Sequence, residues 1–331
     1  MLNVSRVVRP LMDLVTFGEA MVRLSPPAGE RLDDARRFDV HVGGSELNVA
    51  VGAARLGLRT RWVSRLAETP LGRLIARRAG EAGVDLSHVL WAEGERVGLY
   101  FVDGEAVRYD RADSAMSRLT PGVVDWPRAL DGARWFHLSG ITPALSTGAA
   151  AATVEALAAA KRAGGGLTVS YDLNYRPQLW TAERAREVQE PFLGQVDVLI
   201  TNQEDPRILF GIAGPEETVA RALQQRFGCR AVVVTLRAPS GSGRRTRSAI
   251  ALAGGALHRG PRSAADILDP IGAGDAFSAG LIAALLRSDN WATALRWGVA
   301  LSALKYGVAG DFSTAGPADL EQAVKRLEDV R

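Results

Sequence analysis

Trp135-Phe136-His137-Leu138, Leu167-Thr168-Val169-Ser170-Tyr171, Val198-Leu199-Ile200-Thr201 and Ala231-Val232-Val233-Val234-Thr235-Leu236 are four short apolar, β-rich runs set along one stretch of chain. Between them lie the Ala-rich segment 146–163, then 181–193, then a polar stretch near 203–226, each long enough for a helix. Strands without a polar face, alternating with helices, predict βαβ units and a mainly parallel sheet covered on both sides, the three-layer α/β/α class. Toward the N-terminus, Asp13 to Gly18 reads as the first strand and 45–57 as its helix. Toward the C-terminus, 273–287, 291–308 and 317–329 read as helices separated by Gly and Pro.

Two early segments break that rhythm. Residues 20–41 and 95–111 carry short alternating stretches such as Val97 to Val102 and Ala106 to Tyr109, joined by Asp103-Gly104, a hairpin signal. They predict a small antiparallel sheet built from two non-contiguous pieces of chain, able to cover a ligand or form a dimer contact. Pro239 to Ser248, which holds the dense run Arg244-Arg245-Thr246-Arg247, reads as a solvated loop, with phosphate contact as the other reading.

With 331 residues, 47% hydrophobic and 23% charged, the chain can bury a sizeable core, and disorder or fibrous architecture is excluded. No stretch has the roughly 18 apolar residues of a membrane span, and no signal-type core follows Met1, so the reading is a soluble, cytoplasmic protein. Forty basic against 37 acidic residues leave a net charge of +3, without the basic stripe of a nucleic-acid binder. Cys229 is the single cysteine, which rules out an internal disulfide and reads as a small buried hydrophobe. The four histidines form no zinc pair, and His137, at the end of a strand, reads as structural. Trp291 and Trp297 read as packing residues.

Chemistry concentrates at Asp269-Pro270-Ile271-Gly272-Ala273-Gly274-Asp275-Ala276-Phe277. Gly272, Ala273 and Gly274 open a helix whose first amide N–H groups lack intrahelical partners, an anion site suited to a phosphate in transfer. Asp275, in the first turn, can accept a proton from a substrate hydroxyl while the amides stabilise the transferred phosphoryl. The competing reading makes Asp275 a helix cap and the glycines packing residues.

A second segment, Val42-Gly43-Gly44-Ser45-Glu46-Leu47-Asn48, is again a Gly pair opening a helix, with Asn48 one turn in. Together and in this order the two segments resemble the PfkB carbohydrate kinases of the ribokinase-like superfamily, over essentially residues 13–329. The resemblance implies a kinase domain over 13–331 with the small sheet as its lid. It further implies Asp275 as base, the amides of Gly272, Ala273 and Gly274 as anion hole, and Gly43, Gly44 and Asn48 against the sugar. Closure of such a lid excludes water from the phosphoryl group.

Finer details look most similar to the 2-keto-3-deoxygluconate kinases: Gly98-Leu99-Tyr100, Tyr109-Asp110-Arg111, His137 to Leu145, Asp172-Leu173-Asn174-Tyr175-Arg176 and Gly310-Asp311-Phe312. An acid sugar would then meet Arg111 and Arg176 as bidentate donors, with Tyr100, Tyr109 and Asp311 beside them. The alternative is that each Arg pairs with an acid such as Asp110 or Asp113. ATP is the implied donor, contacted by Asn174, Arg176, Asn202, Thr235, Arg237, Gly241, Gly272 and Gly274. Magnesium is expected through water on Asn202 and Asp205, where Asn202-Gln203-Glu204-Asp205 departs from the family's N-x-x-E, and a monovalent cation is a further candidate. Arg237 stands where the family tends to have a small residue. Fructokinase, ribokinase and nucleoside kinase are the alternatives within the family, and a non-catalytic sensor is the alternative outside it. Family members dimerise through lids of this kind, so a homo-oligomer is expected, with no nucleic acid or membrane partner.

Overall fold

The computed structural model describes residues 12–27, 29–104, 106–239 and 244–328. Along the chain, β1 (Met12–Phe17) is followed by β2 (Met21–Ser25), β3 (Asp39–Gly43), α1 (Ser45–Arg55), β4 (Thr60–Ala67), α2 (Pro70–Glu81), the short β5 (Val84–Asp85) and β6 (Val89–Ala92), and the hairpin β7 (Leu99–Asp103) and β8 (Ala106–Asp110). Next come the single turn α3 (Trp126–Ala129), β9 (Ala133–Ser139), α4 (Thr147–Ala163), β10 (Thr168–Asp172), α5 (Ala182–Leu193), β11 (Val198–Asn202), α6 (Asp205–Phe210), α7 (Glu216–Phe227) and β12 (Ala231–Pro239). β13 (Arg244–Ala253), β14 (Ala256–Arg259) and β15 (Ser263–Asp266) then lead to α8 (Ala273–Ser288), α9 (Trp291–Tyr306) and α10 (Pro317–Glu328).

The main sheet runs β14-β13-β12-β11-β10-β9-β1-β4-β5, parallel from β12 through β5 and antiparallel at β12–β13 and β13–β14. Side chains alternate across it. Val232 and Val234 enter one core with Phe136, Tyr171 and Leu199, while Ala231 and Val233 enter the other with Ile200, Phe277 and Leu281. Both faces are therefore buried, which is why these strands read as unbroken apolar runs. Cys229 lies in the first core, its thiol pushed up to about 12 by burial. His137 is buried, its Nδ1 2.8 Å from Ser170 Oγ. Trp291 and Trp297 pack against the second core.

A separate sheet, β3-β2-β7-β8, forms over the carboxyl ends of the main strands from the two predicted pieces. Its outer ladders are antiparallel, but β2 pairs with β7 in parallel, with Val22 opposite Leu99 and Leu24 opposite Phe101. Two strands from separate chain segments need no tight turn between them, so neither direction is imposed.

Two expectations are corrected. The polar stretch 203–226 is two helices, because Gly211 adopts a left-handed φ of 68° that ends α6, and Pro215 stands before α7. The segment from Pro239 to Ser248 is not a loop at its described ends, since β12 runs to Pro239 and β13 starts at Arg244. Arg247 faces inward at 2% exposure and lies over the Tyr306 ring, 5.5 Å from its centroid, so the basic run conceals a strand.

Candidate active site

A cavity of about 440 Å³ opens between the lid and the carboxyl ends of β10, β11 and β12. Ligands in open α/β sheets bind outside these strand ends. Asp275 stands in the first turn of α8 at its floor. Ser45 Oγ donates to its Oδ1 at 2.8 Å and Asn48 Nδ2 to its Oδ2 at 2.7 Å, while Asn174 Nδ2 donates to Ser45 Oγ at 3.0 Å. Burial raises the Asp275 pKa above the ordinary carboxylate value, and the bonds from Asn48 and Ser45 oppose that rise.

Gly272 caps α8 with φ 81°, and a Cβ there would lie 2.0 Å from the Asp311 carbonyl oxygen. Only glycine fits both the angle and the space. Gly272, Gly274 and Asp275 line the cavity, where first-turn amides have no intrahelical partners. Ala273 does not: it is buried and its N–H turns back to the Pro270 carbonyl at 3.4 Å. The Ala273 amide thus helps to form the turn that shapes the loop.

At the lid end the cavity meets Gly43, Gly44, Asn48, Tyr100, Tyr109 and Arg111. Gly43 also makes room for its neighbours, since a Cβ there would come within 2.2 Å of Asp311 Oδ2 and 2.4 Å of the Tyr100 hydroxyl. Arg111 pairs with neither Asp110 nor Asp113. Its guanidinium lies over the Tyr109 ring and binds Glu19, with Nε donating to Oε2 at 2.8 Å. The Tyr100 hydroxyl donates to Asp311 Oδ2, so its proton is taken up within the protein. Arg23 Nη1 donates to Asp269 Oδ2 at 2.7 Å and to Asp311 Oδ1 at 3.3 Å. Asp311 is pushed up to about 6 by burial, against the pull of Arg23.

At the other end stand Asp172, Asn174, Arg176, Asn202, Thr235, Arg237 and Arg245. A Cβ on Gly274 would lie 3.9 Å from Arg237 Nη2, which puts that guanidinium beside the first turn of α8. Arg176 forms no ion pair with a described residue, its Nη1 donating to the Tyr175 carbonyl at 3.1 Å. Thr235 Oγ1 donates to the Thr201 carbonyl. Asn202 Oδ1 accepts the Glu204 and Asp205 amides, while Asp205 is buried and accepts from Tyr175 N at 3.0 Å, outside the cavity wall. Asp172 is pushed up to about 7 by burial, with the charges of Asp205 and Asp275 adding. Gly241, expected among the nucleotide contacts, lies outside the described residues.

Sequence reasoning missed Ser45, Glu19 and the Arg23–Asp269 pair as parts of this site. Ser45 lay inside the Gly-Gly motif, and Glu19 directly after the first strand, where a ligand is expected. For Arg23, 246 residues from Asp269, no local signal existed.

Residues 12–315 match the pfkB family carbohydrate kinase profile. The sequence is 38% identical over 319 residues to the 2-dehydro-3-deoxygalactonokinase of Haloferax volcanii, covering 95% of this chain and 96% of that protein. The structure is similar to 2-dehydro-3-deoxygluconokinase from Thermotoga maritima, with a TM-score of 0.90, 37% identity and coverage of 95% and 98% of the two chains. A putative ribokinase II from E. coli, solved in complex with ATP and Mg2+, shares the fold at a TM-score of 0.83 and 21% identity, over 96% of this chain and 100% of that one.

Proposed function

The chain belongs to the PfkB family of carbohydrate kinases, and from that premise we propose that it moves the γ-phosphoryl group of ATP to a hydroxyl of 2-keto-3-deoxygluconate or its galactonate epimer. The observation that carries the chemistry is the Asp275 carboxylate, aimed by Ser45 and Asn48 at a cavity lined by Gly272 and Gly274. Each carboxylate oxygen accepts one donor and keeps a further lone pair, to which a sugar hydroxyl in the cavity can hand over its proton as the bond to phosphorus forms. The free amides and the positive end of α8 take up charge on the phosphoryl oxygens, and Arg237 lies next to them.

Support for an acid sugar comes from Arg176, which lines the cavity and forms no close ion pair with a described residue, and from Arg111 and the Tyr109 ring at the lid end of the same cavity. Glu19 already neutralises Arg111, so Arg176 is the better partner for the sugar carboxylate, and Arg111 for keto or hydroxyl groups. Magnesium fits the phosphate end. Burial, with the charges of Asp205 and Asp275 adding, pushes Asp172 up to about 7, and a dication bound nearby would favour its ionised form. Asn202, on the cavity wall, would hold it through a shell of water, with the buried Asp205 behind it, and the ion would supply charge neutralisation between phosphates.

ATP-dependent ADP release by the purified protein tests the reading against 2-keto-3-deoxygluconate, its galactonate epimer, gluconate, fructose, ribose and adenosine. Selective turnover of the keto-deoxy acids is expected. Fructose or ribose turnover instead would keep the Asp275 chemistry and discard the acid-sugar pocket, while silence would favour a sensor. Asp275→Asn should lower kcat by about two to four orders of magnitude with the fold intact. The proposed setting is the cytosol, and the proposed assembly a homo-oligomer meeting at the outer lid face, where Val40 is exposed and Phe38 and Phe101 pair.

A further inference from the structure

Lys305 is 0% exposed, on the last turn of α9, and plays no part in the chemistry derived above. Its ammonium reaches no carboxylate within ion-pair distance among the described residues. It is held by backbone carbonyls instead, donating to Val308 O at 2.8 Å and to Asp269 O at 3.5 Å. Asp269 begins the segment that turns at Pro270 and delivers Gly272, and its amide is in turn bound to the Tyr306 carbonyl. On the other side, Gly310 N donates to Asp269 Oδ2. The ammonium thus sits behind the anion hole, at the junction of the α9 end, the 308–311 turn and the Asp269–Gly272 segment.

Main-chain carbonyls converging on a buried positive charge, with the carboxyl groups of Asp269 and Asp311 nearby, are the donor set a monovalent cation takes. Arg23 binds both acids, Tyr100 donates to Asp311, His41 faces Asp269, and the charge of Asp275 also reaches Lys305. The family resemblance raises a monovalent cation as a cofactor. Here the oxygens able to hold one beside the anion hole are already occupied.

We propose that the Lys305 ammonium serves as a resident monovalent cation, fixing the Asp269–Gly272 segment in the conformation that presents the anion hole, so that the kinase needs no exchangeable K+ or Na+. Lys305 is a positioning residue, acting through the backbone. The inference rests on the kinase reading, and the experiment separates the two.

Turnover of the wild-type enzyme is measured in tetramethylammonium buffer with and without added K+, Na+ or NH4+. Full activity without them is expected, and stimulation of about fivefold or more by one of them would overturn the proposal while leaving the kinase reading intact. No turnover with any sugar under any condition would overturn the kinase reading first, and the proposal with it. Lys305→Ala, checked for folding by its thermal transition, should lose about tenfold or more in kcat with little change in the KM for sugar, and should regain activity with K+, NH4+ or methylamine. A folded Lys305→Ala with normal kcat, or one that no small cation rescues, would reduce Lys305 to a packing residue and overturn the proposal. If that variant does not fold, the cation dependence of the wild type still decides.

Discussion

Asp275 is poised by two donors from a different helix, and that arrangement sets its working range. Asn48 Nδ2, at 2.7 Å, stabilises the ionised form against the burial that disfavours it. Asn48→Ala removes this support, so the Asp275 pKa should rise and the acid limb of the kcat/KM profile should move to higher pH; an unshifted limb would show that Ser45 alone sets it. Glu46, one residue after Ser45, is fully buried. Its Oε1 accepts from Ser139 N and Oγ and from Thr142 Oγ1, while Oε2 has no partner. Burial pushes Glu46 up from 4.5 to about 7. The native state therefore binds the extra proton between those values, and the stability this group confers is full below pH 4.5 and lost as pH rises to about 7, about 3 kcal/mol in all. Glu46→Gln should flatten that slope and raise stability at pH 8 relative to wild type, as read by denaturant titration at pH 5 and pH 8; an unchanged slope would mean Glu46 is ionised throughout. None of this was legible in the sequence, where Glu46 is an ordinary polar residue in a helix. Its burial follows from Ser139 and Thr142, more than 90 residues away.

Among the elements, α8 and its cap were the most legible, because Gly-Ala-Gly-Asp after a proline carries its chemistry locally. Gly272→Ala places a side chain at φ 81° and against the Asp311 carbonyl, so it should cost at least about 1–2 kcal/mol of stability and most of the turnover. A variant with normal melting temperature and rate would show that the loop can relax without consequence. The helix itself fell within one residue of expectation, as did α5, because apolar periodicity and caps lie inside each segment. The Arg-rich start of β13 failed for the opposite reason. What makes it a strand is its partner β12, Arg237 facing Arg247, and what buries Arg247 is Tyr306 on a helix about 60 residues away. Arg111, proposed to meet the sugar, shows the same limit: its donors are visible in the sequence, but Glu19, which already holds it, is 92 residues away.

At the scale of the molecule, two sheets divide the labour. The main sheet buries both faces, and β2 and β3 are tied to it through Val22 and Val42, which share a core with Leu47, Trp62 and Leu66, whereas the β7–β8 hairpin contributes mainly to the small cluster of Met21, Tyr100 and Val102 with Val107, Tyr109 and Ile271 around it. Replacing the β7–β8 hairpin by a short glycine linker should leave the circular dichroism of the main sheet and cooperative unfolding in place while sugar turnover falls about a hundredfold or more. Loss of all folded signal would show instead that the lid is part of the fold's foundation. That the lid exists and comes from two separate segments was readable from the hairpin signal at Asp103-Gly104. The parallel ladder between β2 and β7 was not, since pairing between distant segments leaves no mark in either.

The solitary thiol of Cys229 gives this molecule its own clock. It sits at 3% exposure beneath the start of β12, and burial keeps it protonated far above neutral pH. An alkylating reagent can label it only during the moments when that part of the core comes apart. Labelling rates with and without nucleotide or sugar therefore count native-state openings directly, and the slowing produced by each ligand reports its grip on the whole chain without any engineered probe.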